Sequence, residues 1–215
     1  MSTLRTISNF KTALAGGGAR PNLFEVSIPK LPTAAVEAGA EWEAETSKAF
    51  RFLCKTAALP ASNISPIDIP FRGRILKVAG DRTFDPWTIT IINDENFKIR
   101  TALELWMNGI SKLDNNTGAT TPNEYMTNAS VYQLGRGEKA ESSKNYESSG
   151  NAPLDPLRIY TFFGIFPTNI GAIDLSYDSS DTIEEYTVEF QVQYWSAGSD
   201  QDTGGANDQN GTQVK

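Results

Sequence analysis

Residues 185–194 carry the pattern that most constrains the fold, because apolar and polar side chains alternate along the whole stretch. The apolar set is Tyr186, Val188, Phe190, Val192 and Tyr194, and the polar set is Glu185, Thr187, Glu189, Gln191 and Gln193. An alternation with a period of two places one set on each face of a β-strand. The sequence therefore predicts a long strand with one buried face and one face in contact with water.

Several shorter apolar runs, bounded by proline, glycine or asparagine, predict additional strands. They are residues 21–28, 50–56, 64–69, 74–78, 87–92, 130–134, 157–166 and 173–177. Gly80 and Asp81 are predicted to form a turn. One amphipathic helix is predicted over residues 97–110, with Asn93 or Asp94 as its cap. We therefore expect a mainly β domain of roughly eight strands with one helix packed on it.

Four segments differ in composition from this β domain. Residues 1–20 are polar, end in a run of glycines and predict a flexible arm that is either disordered or ordered by a partner. Residues 33–48 are rich in Ala and Glu and predict a solvated loop or a frayed helix. Residues 135–153 and 196–215 have almost no apolar content and predict a long loop and a disordered tail. The folded domain is thus expected to span residues 21–195.

The composition excludes several kinds of chemistry. The sequence contains no histidine, which excludes His-based catalysis and His metal sites, and its single cysteine, Cys54, excludes an internal disulfide. Cys54 is predicted to be a small core residue, since nothing nearby supplies a base.

The net charge of −7 disfavours a general nucleic-acid binder. No apolar run approaches the ~20 residues that span a bilayer. The first ten residues lack the pattern of a secretory signal, so we expect synthesis and folding in a cytosol.

Two groups of charged residues are candidates for binding. Arg72 and Arg74 flank a glycine and could clamp an anion, but strand residues at a turn, or partners for acids on a neighbouring chain, explain them better. The acidic residues between positions 81 and 95 match no calcium-binding loop, and turn or capping roles account for them. Trp87 and Trp106 are expected to pack in the core. The sequence thus predicts no catalytic residue, no metal site and no cofactor.

Long, regular strands with open edges invite association, and chains manage this by charge, by covering the edge or by closure with copies of themselves. The water-facing side of residues 185–194 would suit a wall between protein and a water-filled space. Self-assembly is therefore a functional hypothesis that the residues alone already support.

Specific stretches of the sequence resemble the tail tube protein family of contractile-tailed, T4-like bacteriophages. The longest is residues 78–95, VAGDRTFDPWTITIINDE, which is too long and unusual for a chance similarity. The other stretches are residues 20–24 (RPNLF), 54–61 (CKTAALPA), 106–108 (WMN), 122–125 (PNEY), 166–177 (FPTNIGAIDLSY) and 194–195 (YW). Residues 33–48, 137–153 and 196–215 look like additions to the compact family pattern.

The resemblance implies a β-sandwich-like or barrel-like fold with one flanking helix, whose subunits form hexameric rings that stack into a tube. Each subunit would contribute strands to a continuous β-barrel around the lumen, and viral DNA would pass through without specific binding. The implied partners are further copies of the chain, the tail sheath protein, baseplate proteins and the tail terminator, and the implied location is the virion tail. Four strands from each of six subunits give about 24 strands and a barrel roughly 40 Å across, which is wide enough for duplex DNA.

DNA has to slide through such a tube, so the wall should not bind phosphate, and a negative net charge agrees with this. The candidate lumen-facing residues are those on the polar face of the last strand: Glu185, Glu189, Gln191 and Gln193. The candidate contacts between subunits or rings are Arg72, Arg74, Asp81 and Arg82.

Three alternative functions stay open at this point. The chain could form the tube of a related contractile injection device that delivers protein, or it could be a baseplate protein that starts the tube. These alternatives share the fold and differ in the cargo or in the number of rings. A carbohydrate-active enzyme with two carboxylates is disfavoured, because nothing places two acids in an aromatic-lined cleft.

Overall fold

The computed structural model describes residues 6–14, 18–135, 156–178 and 180–198. In chain order, the elements are α1 (Ile7–Ala13), β1 (Phe24–Ser27), α2 (Thr33–Glu37), α3 (Ala44–Leu53), β2 (Cys54–Ala57), β3 (Ser62–Phe71), β4 (Arg74–Phe84), β5 (Trp87–Ile92), α4 (Lys98–Ile110), α5 (Pro122–Tyr125), β6 (Thr127–Leu134), β7 (Pro156–Ile170), β8 (Glu185–Gln191) and β9 (Tyr194–Gly198). Seven strands form one sheet in the order β1-β6-β7-β8-β5-β2, with β9 paired to β7. Strands β3 and β4 form a separate two-stranded sheet, so the predicted mainly β class is confirmed.

The described residues divide into two compact units. One consists of residues 26–131 and 160–196, and the other of the described residues outside those ranges. The smaller unit contains α1, whose first turn is capped by the Thr6 hydroxyl, which accepts a hydrogen bond from the backbone N–H of Asn9. Its Ile7 and Phe10 side chains are exposed. The larger unit contains the helices α2 to α5 and the residues discussed below.

The core of the larger unit is built from β5, β8 and α4. The buried side chains of the two strands are Trp87, Ile89 and Ile91 on β5 and Tyr186, Val188 and Phe190 on β8. The Trp87 ring stacks on Phe162 with 4.8 Å between centroids, and the Trp106 ring of α4 lies 5.9 Å from that of Phe190. The Trp106 indole N–H also donates a hydrogen bond to the Tyr125 carbonyl at 2.8 Å. Both tryptophans pack in the core, as predicted.

The alternating stretch at residues 185–194 forms two strands, and the prediction of a single long strand was wrong. Strand β8 ends at Gln191, and β9 then pairs with β7. Between them, the Gln193 backbone N–H donates to the Phe163 carbonyl at 3.1 Å, and the alternation ends at Tyr194, which is 50% exposed. Because β9 extends to Gly198, residues 196–198 belong to a strand and not to the predicted tail.

Residues 33–37 and 44–48 are helical, as α2 and the first half of α3, so of the two predicted alternatives the helix is closer to the structure than the loop, and Glu37, Glu41 and Glu45 are exposed. Two alanines of α2, Ala34 and Ala35, are buried. The Trp42 indole N–H donates to the Ile28 carbonyl at 3.0 Å, and its ring lies 5.5 Å from the Phe50 ring. Alanine supplies close helix packing without a large side chain, which explains how a segment of low hydropathy is held against the core.

Helix α3 also replaces the strand predicted over residues 50–56. Phe50 is fully buried and Phe52 is 84% exposed, because two positions along a helix turn a side chain to the opposite side. Strand β2 begins only at Cys54. That residue is buried, as predicted, and burial raises the pKa of its thiol to about 12.

Three local predictions were also wrong. Helix α4 begins at Lys98 after Phe97, whose φ is 53°, and no side chain caps it, so neither Asn93 nor Asp94 has the predicted role. Gly80 and Asp81 lie within β4 and not in a turn. Residues 173–177 form no strand. The predicted addition at residues 137–153 lies outside the described residues.

Candidate assembly surfaces

The polar face of β8 is the first candidate surface. Along this strand the buried side chains of Tyr186, Val188 and Phe190 alternate with exposed or half-buried ones. Glu185 and Thr187 are exposed, and Glu189 and Gln191 are half-buried. The strand therefore has one face covered by the core and one polar face, as the alternation predicts.

On one side of β8, strands β5 and β2 continue this polar face, whereas on the other side Phe166 of β7 lies opposite Gln191. Thr88 and Thr90 of β5 lie opposite Glu189 and Thr187 in the antiparallel register. Lys55 of β2 donates a hydrogen bond to the carboxylate of Glu185 and forms an ion pair with it. Threonine, glutamine and one paired lysine give this face many hydrogen-bonding groups and little net charge.

Gln193, the fourth candidate for the lumen, does not lie on β8. It lies between the end of β8 and the start of β9, and its side chain packs against the backbone of Gly164, where a β-carbon would lie 2.7 Å from Gln193 Cγ. Gly164 has a φ of +61° and donates its backbone N–H to the Asn128 side chain at 3.2 Å. The structure thus brings Glu185, Glu189 and Gln191 together on one strand and places Gln193 beyond its end.

The β3–β4 hairpin is the second candidate surface. Its strands are antiparallel and joined at Arg72 and Gly73, which both have positive φ angles of 46° and 81°. A two-residue connection with positive φ at both positions matches the right-handed twist of the strands it joins. Arg72 and Arg74 lie at this tip, as the sequence predicts for strand residues at a turn.

One face of the hairpin is apolar and exposed. The cross-strand pairs Ile67–Val78 and Ile69–Leu76 lie in register, and alternation puts Phe71 on the same face. Each of these five side chains is between 42% and 66% exposed. A two-stranded ribbon is marginally stable in water unless another surface covers it. The hairpin therefore presents an apolar face that the rest of the subunit does not bury.

The charges of the hairpin are distributed along its length. Lys77 and Asp68 form an ion pair across the strands at 2.8 Å. The Arg72 guanidinium lies 5.4 Å from the centroid of the Phe71 ring. Arg82 pairs in register with Ile64, and Asp81 lies beside it where the register shifts. The four predicted contact residues thus share one hairpin, with Arg72 and Arg74 at the tip and Asp81 and Arg82 toward the base.

Two clefts lie near the helices of the larger unit. One, of about 400 Å³, is lined by residues of α2, α4 and α5 and the segment 117–119. The other, of about 310 Å³, includes Glu41, Glu43 and Lys98. Within the described ranges, no three His, Cys, Asp or Glu side chains are grouped so that they could hold a metal ion. In the same part of the chain, no helix is long and apolar enough to cross a membrane.

Comparison with known proteins identifies the family. The sequence profile described as "Phage tail tube protein" matches residues 19–198. The chain belongs to the phage tail tube protein family. It is 33% identical over 181 residues to the tail tube protein gp19 of Enterobacteria phage T4, an alignment that covers 84% of this chain and 93% of the relative. It is 25% identical to the tail tube protein of Serratia phage KSP90, with 92% and 98% of the two chains covered.

Solved structures give the same fold at lower sequence identity. The tube-terminating cap of the anti-feeding prophage matches with a TM-score of 0.52 and 12% identity, covering 85% of this chain and 91% of that chain. The sheath/tube terminator of the extracellular contractile injection system PVC matches with a TM-score of 0.51 and 12% identity, covering 85% and 97%. The chain is therefore a structural protein of the virion tail with the fold of tail tube proteins, and the resemblance found in the sequence is confirmed.

Sequence reasoning missed one exposed surface of this tail tube protein. The connection between β7 and β8 carries Leu175 and Tyr177, which are 80% and fully exposed, and Ile183, which is 71% exposed. The apolar residues in 173–177 predicted a strand. The acidic residues Asp174, Asp178 and Asp181 lie among these apolar residues, and such a composition is atypical of a buried strand, so it could have indicated an exposed connection.

Proposed function

We propose that copies of this chain form hexameric rings, that the rings stack into the inner tube of a contractile tail, and that viral DNA passes through the lumen. Tail sheath protein would surround the tube, and baseplate and terminator proteins would bind its two ends. The proteins named as relatives are phage tail tube proteins, which supports this assignment over an injection device. In this role the chain is purely structural and has no enzymatic activity.

The observation that carries the proposal is the two-sided sheet of the larger unit. One side carries α4, with Trp106 against Phe190, while the other side of β5 and β8 is polar apart from Ile92. A polar sheet face opposite a helix-covered face suits a barrel wall, with the helix outside and water inside. We assign Glu185, Glu189, Gln191 and, at the end of β8, Gln193 to the lumen.

The charge of this face suits the passage of DNA. Lys55 is the one cation on β2, β5 and β8, and Glu185 neutralises it. Glu189 then leaves the face of these strands slightly negative. A wall without free cations cannot release counterions from phosphates, so it offers DNA no strong binding site.

Selective cysteine labelling can test the lumen assignment. Cys54 is buried and burial raises its thiol pKa to about 12, so an introduced cysteine would be the reactive one. In assembled tubes, Glu189→Cys should react with a small maleimide but only slowly with a large polyethylene-glycol maleimide. In separate subunits, both reagents should react. The control Glu45→Cys, on α3, should react with both reagents in either state.

Two results would contradict the lumen assignment. Protection of Glu189→Cys from the small reagent in tubes would place the residue between protein layers. Equal reaction with the large reagent in tubes and in subunits would place it on the outside. Electron microscopy of the same samples tests the wider proposal, since concentrated wild-type protein should form rings or tubes. A protein that stays monomeric at every concentration would contradict it.

We also assign Arg72, Arg74, Asp81 and Arg82 to contacts between subunits or rings. The support is their common position on a hairpin whose apolar face is uncovered within the chain. Arg82→Glu should impair tube polymerisation and leave the subunit folded. Since single exposed ion pairs contribute only ~0–1 kcal/mol, charge at these positions should mainly fix orientation. Tubes of normal length in this variant would contradict the assignment.

A further inference from the structure

The two exposed apolar surfaces of the larger unit lie at opposite ends of one strand pair. Strands β5 and β8 are antiparallel, with Trp87 opposite Phe190 at one end and Ile92 opposite Glu185 at the other. The hairpin β3–β4 ends at Phe84, just before the Trp87 end. The β7–β8 connection ends just before Glu185, and the Asn93 N–H donates to the Glu184 carbonyl at 2.9 Å. The two surfaces therefore leave the sheet about 17 Å apart, at opposite ends of β5.

The hairpin surface is apolar and basic. Its apolar face consists of five half-exposed side chains, and its tip carries Arg72 and Arg74. Among the described residues, neither arginine forms an ion pair, whereas Lys77 is already paired with Asp68. The tip therefore presents two guanidinium groups that no carboxylate neutralises, beside apolar side chains.

The connection surface is apolar and acidic. We define it as residues 171–178 and 180–184, which contain no lysine or arginine and four acids. The acids are Asp174, Asp178, Asp181 and Glu184. None of them forms an ion pair within the described part of the chain, and Glu184 accepts a hydrogen bond from the Asn93 amide. The exposed Leu175, Tyr177 and Ile183 lie among them.

We infer that the hairpin of one copy docks on the connection surface of a second copy, with Arg72 and Arg74 facing the acids at positions 174–184. Both surfaces combine apolar side chains with charge, and the charges are of opposite sign. The exposure of both surfaces shows that neither covers the other within one chain. Such a contact buries apolar area, and the charges fix which surfaces meet.

The placement of the two surfaces determines what the contact builds. A contact between two different surfaces at opposite ends of a subunit is head-to-tail: it closes into a ring when its rotation closes, and otherwise it repeats along an axis, which is the case that the stacking of rings requires. Each added ring would again expose the same hairpin at one end and the same connection at the other. This inference rests on the proposed function, because it names the receiving surface for the stacking of rings.

Charge reversal on each surface separately, followed by mixing, tests the inference with the full chain. One variant carries Arg72→Glu and Arg74→Glu, and the other carries Asp178→Arg and Asp181→Arg. Each variant alone would bring like charges together, so we expect loss of tubes, with rings remaining in electron micrographs and in sedimentation. The mixture should form tubes again, because each reversed surface then meets an opposite charge.

Matched controls separate this pairing from a change of net charge. Lys48→Glu with Lys112→Glu changes the charge as much as the hairpin variant, and Glu41→Arg with Glu45→Arg matches the connection variant. All four control positions are exposed, and both controls should form normal tubes. Denaturation midpoints equal to that of the wild type will confirm that every variant is folded.

Two results would overturn the inference: normal tubes from either reversed variant alone, or no tubes from the mixture. Failure of the proposed function is distinguishable from both, because then the wild-type protein itself would form neither rings nor tubes. Tubes from the wild type and from both reversed variants would contradict only the docking of hairpin on connection.

Discussion

The β5–β8 pair and the β3–β4 hairpin are both antiparallel ladders with an apolar face, yet only the first is covered. Ile89 and Val188 face each other on the pair and are fully buried, whereas Ile69 and Leu76 face each other on the hairpin and are 45% and 60% exposed. Similar side chains thus serve two purposes. Where the chain supplies the cover, apolar residues stabilise the subunit, and where it does not, they are available to a second copy.

Of the single substitutions, Trp106→Ala, on helix α4, should have the largest effect on subunit stability. The side chain is fully buried, packs on Phe190 and hydrogen-bonds to the Tyr125 carbonyl. Removing it should lower the free energy of unfolding by about 3–5 kcal/mol, since a cavity forms and the carbonyl loses its donor. Urea denaturation followed by circular dichroism measures this change. A loss below about 1 kcal/mol would mean that α4 does not cover the sheet as described.

A smaller and local effect is expected from Gly80→Ala, in the hairpin. A β-carbon at this position would lie 2.6 Å from the Ser65 carbonyl oxygen, so the strands have to move apart there. Amide hydrogen exchange should speed up along β3 and β4 and stay unchanged in β5 and β8. The control Ala79→Ser, at the neighbouring exposed position, should leave both regions unchanged. Faster exchange in β5 would show that the hairpin and the covered sheet unfold together.

Paired substitution of Ile69→Ser and Leu76→Ser should separate stability from assembly. Because both side chains are already about half exposed, the free energy of unfolding should change by no more than about 1 kcal/mol for the two substitutions together. Tube formation should nevertheless be lost, since the uncovered apolar face is expected to bind the next copy. The matched pair Ile89→Ser and Val188→Ser should instead unfold the subunit. Normal tubes from the Ile69→Ser, Leu76→Ser variant would contradict the proposal that the apolar face of the hairpin serves assembly.

Only a small effect at neutral pH is expected from Tyr186→Phe, in the covered sheet. The Tyr186 hydroxyl is buried and has no hydrogen-bond partner among the described residues, so its loss should change the free energy of unfolding by at most about 1 kcal/mol. Burial raises the pKa of this tyrosine, although the nearby Arg100 lowers it. The variant can therefore show the effect of the buried hydroxyl only at alkaline pH.

The sign of that pH effect follows from linkage. The unfolded chain loses its tyrosine proton near pH 10, at a lower pH than the folded chain, so the wild-type free energy of unfolding should fall as the pH rises above about 10. Tyr186→Phe should reduce this fall, and Tyr177→Phe, at a fully exposed position, should not. Urea denaturation at pH 7 and at about pH 10.5 gives the comparison. Equal pH dependence in all three proteins would contradict the burial of the hydroxyl.

The sequence predicted the elements whose local pattern and tertiary environment agree. Strand β5 and most of β8 follow an alternation that the core uses directly, and the apolar stripe of α4 packs where it predicts. The prediction failed at residues 50–56, where apolar residues two apart indicated a strand. There, both residues lie on helix α3: Phe50 is buried and packs against the Trp42 ring, and Phe52 is exposed on the opposite side of the helix. That contact comes from a neighbouring segment, so no local pattern could report it.

The candidate surfaces were predictable in part for a similar reason. The alternation identified Glu185, Glu189 and Gln191 as one face, because a strand fixes its own side-chain directions. It did not predict that Arg72 and Arg82 share one long hairpin. The ladder continues through a register shift between Ile64 and Pro66, where Gly80 lies close to the Ser65 carbonyl. Exposure of an apolar face depends on what does not pack against it. Whether the face is exposed is therefore decided by the whole fold and by contacts with other copies, and the pattern of a single strand cannot predict it.

The ion pair between Lys55 and Glu185 has a consequence for a conduit that joins two compartments. A virion in its surroundings and a bacterial interior differ in salinity, and free surface cations exchange their counterions when the salt changes. Lys55 is paired with the Glu185 carboxylate, so it has little free charge with which to bind phosphate and contributes little to the salt dependence of such binding. If this face lines the lumen, as we propose, the attraction between the wall and a moving polyanion should therefore vary little with salt.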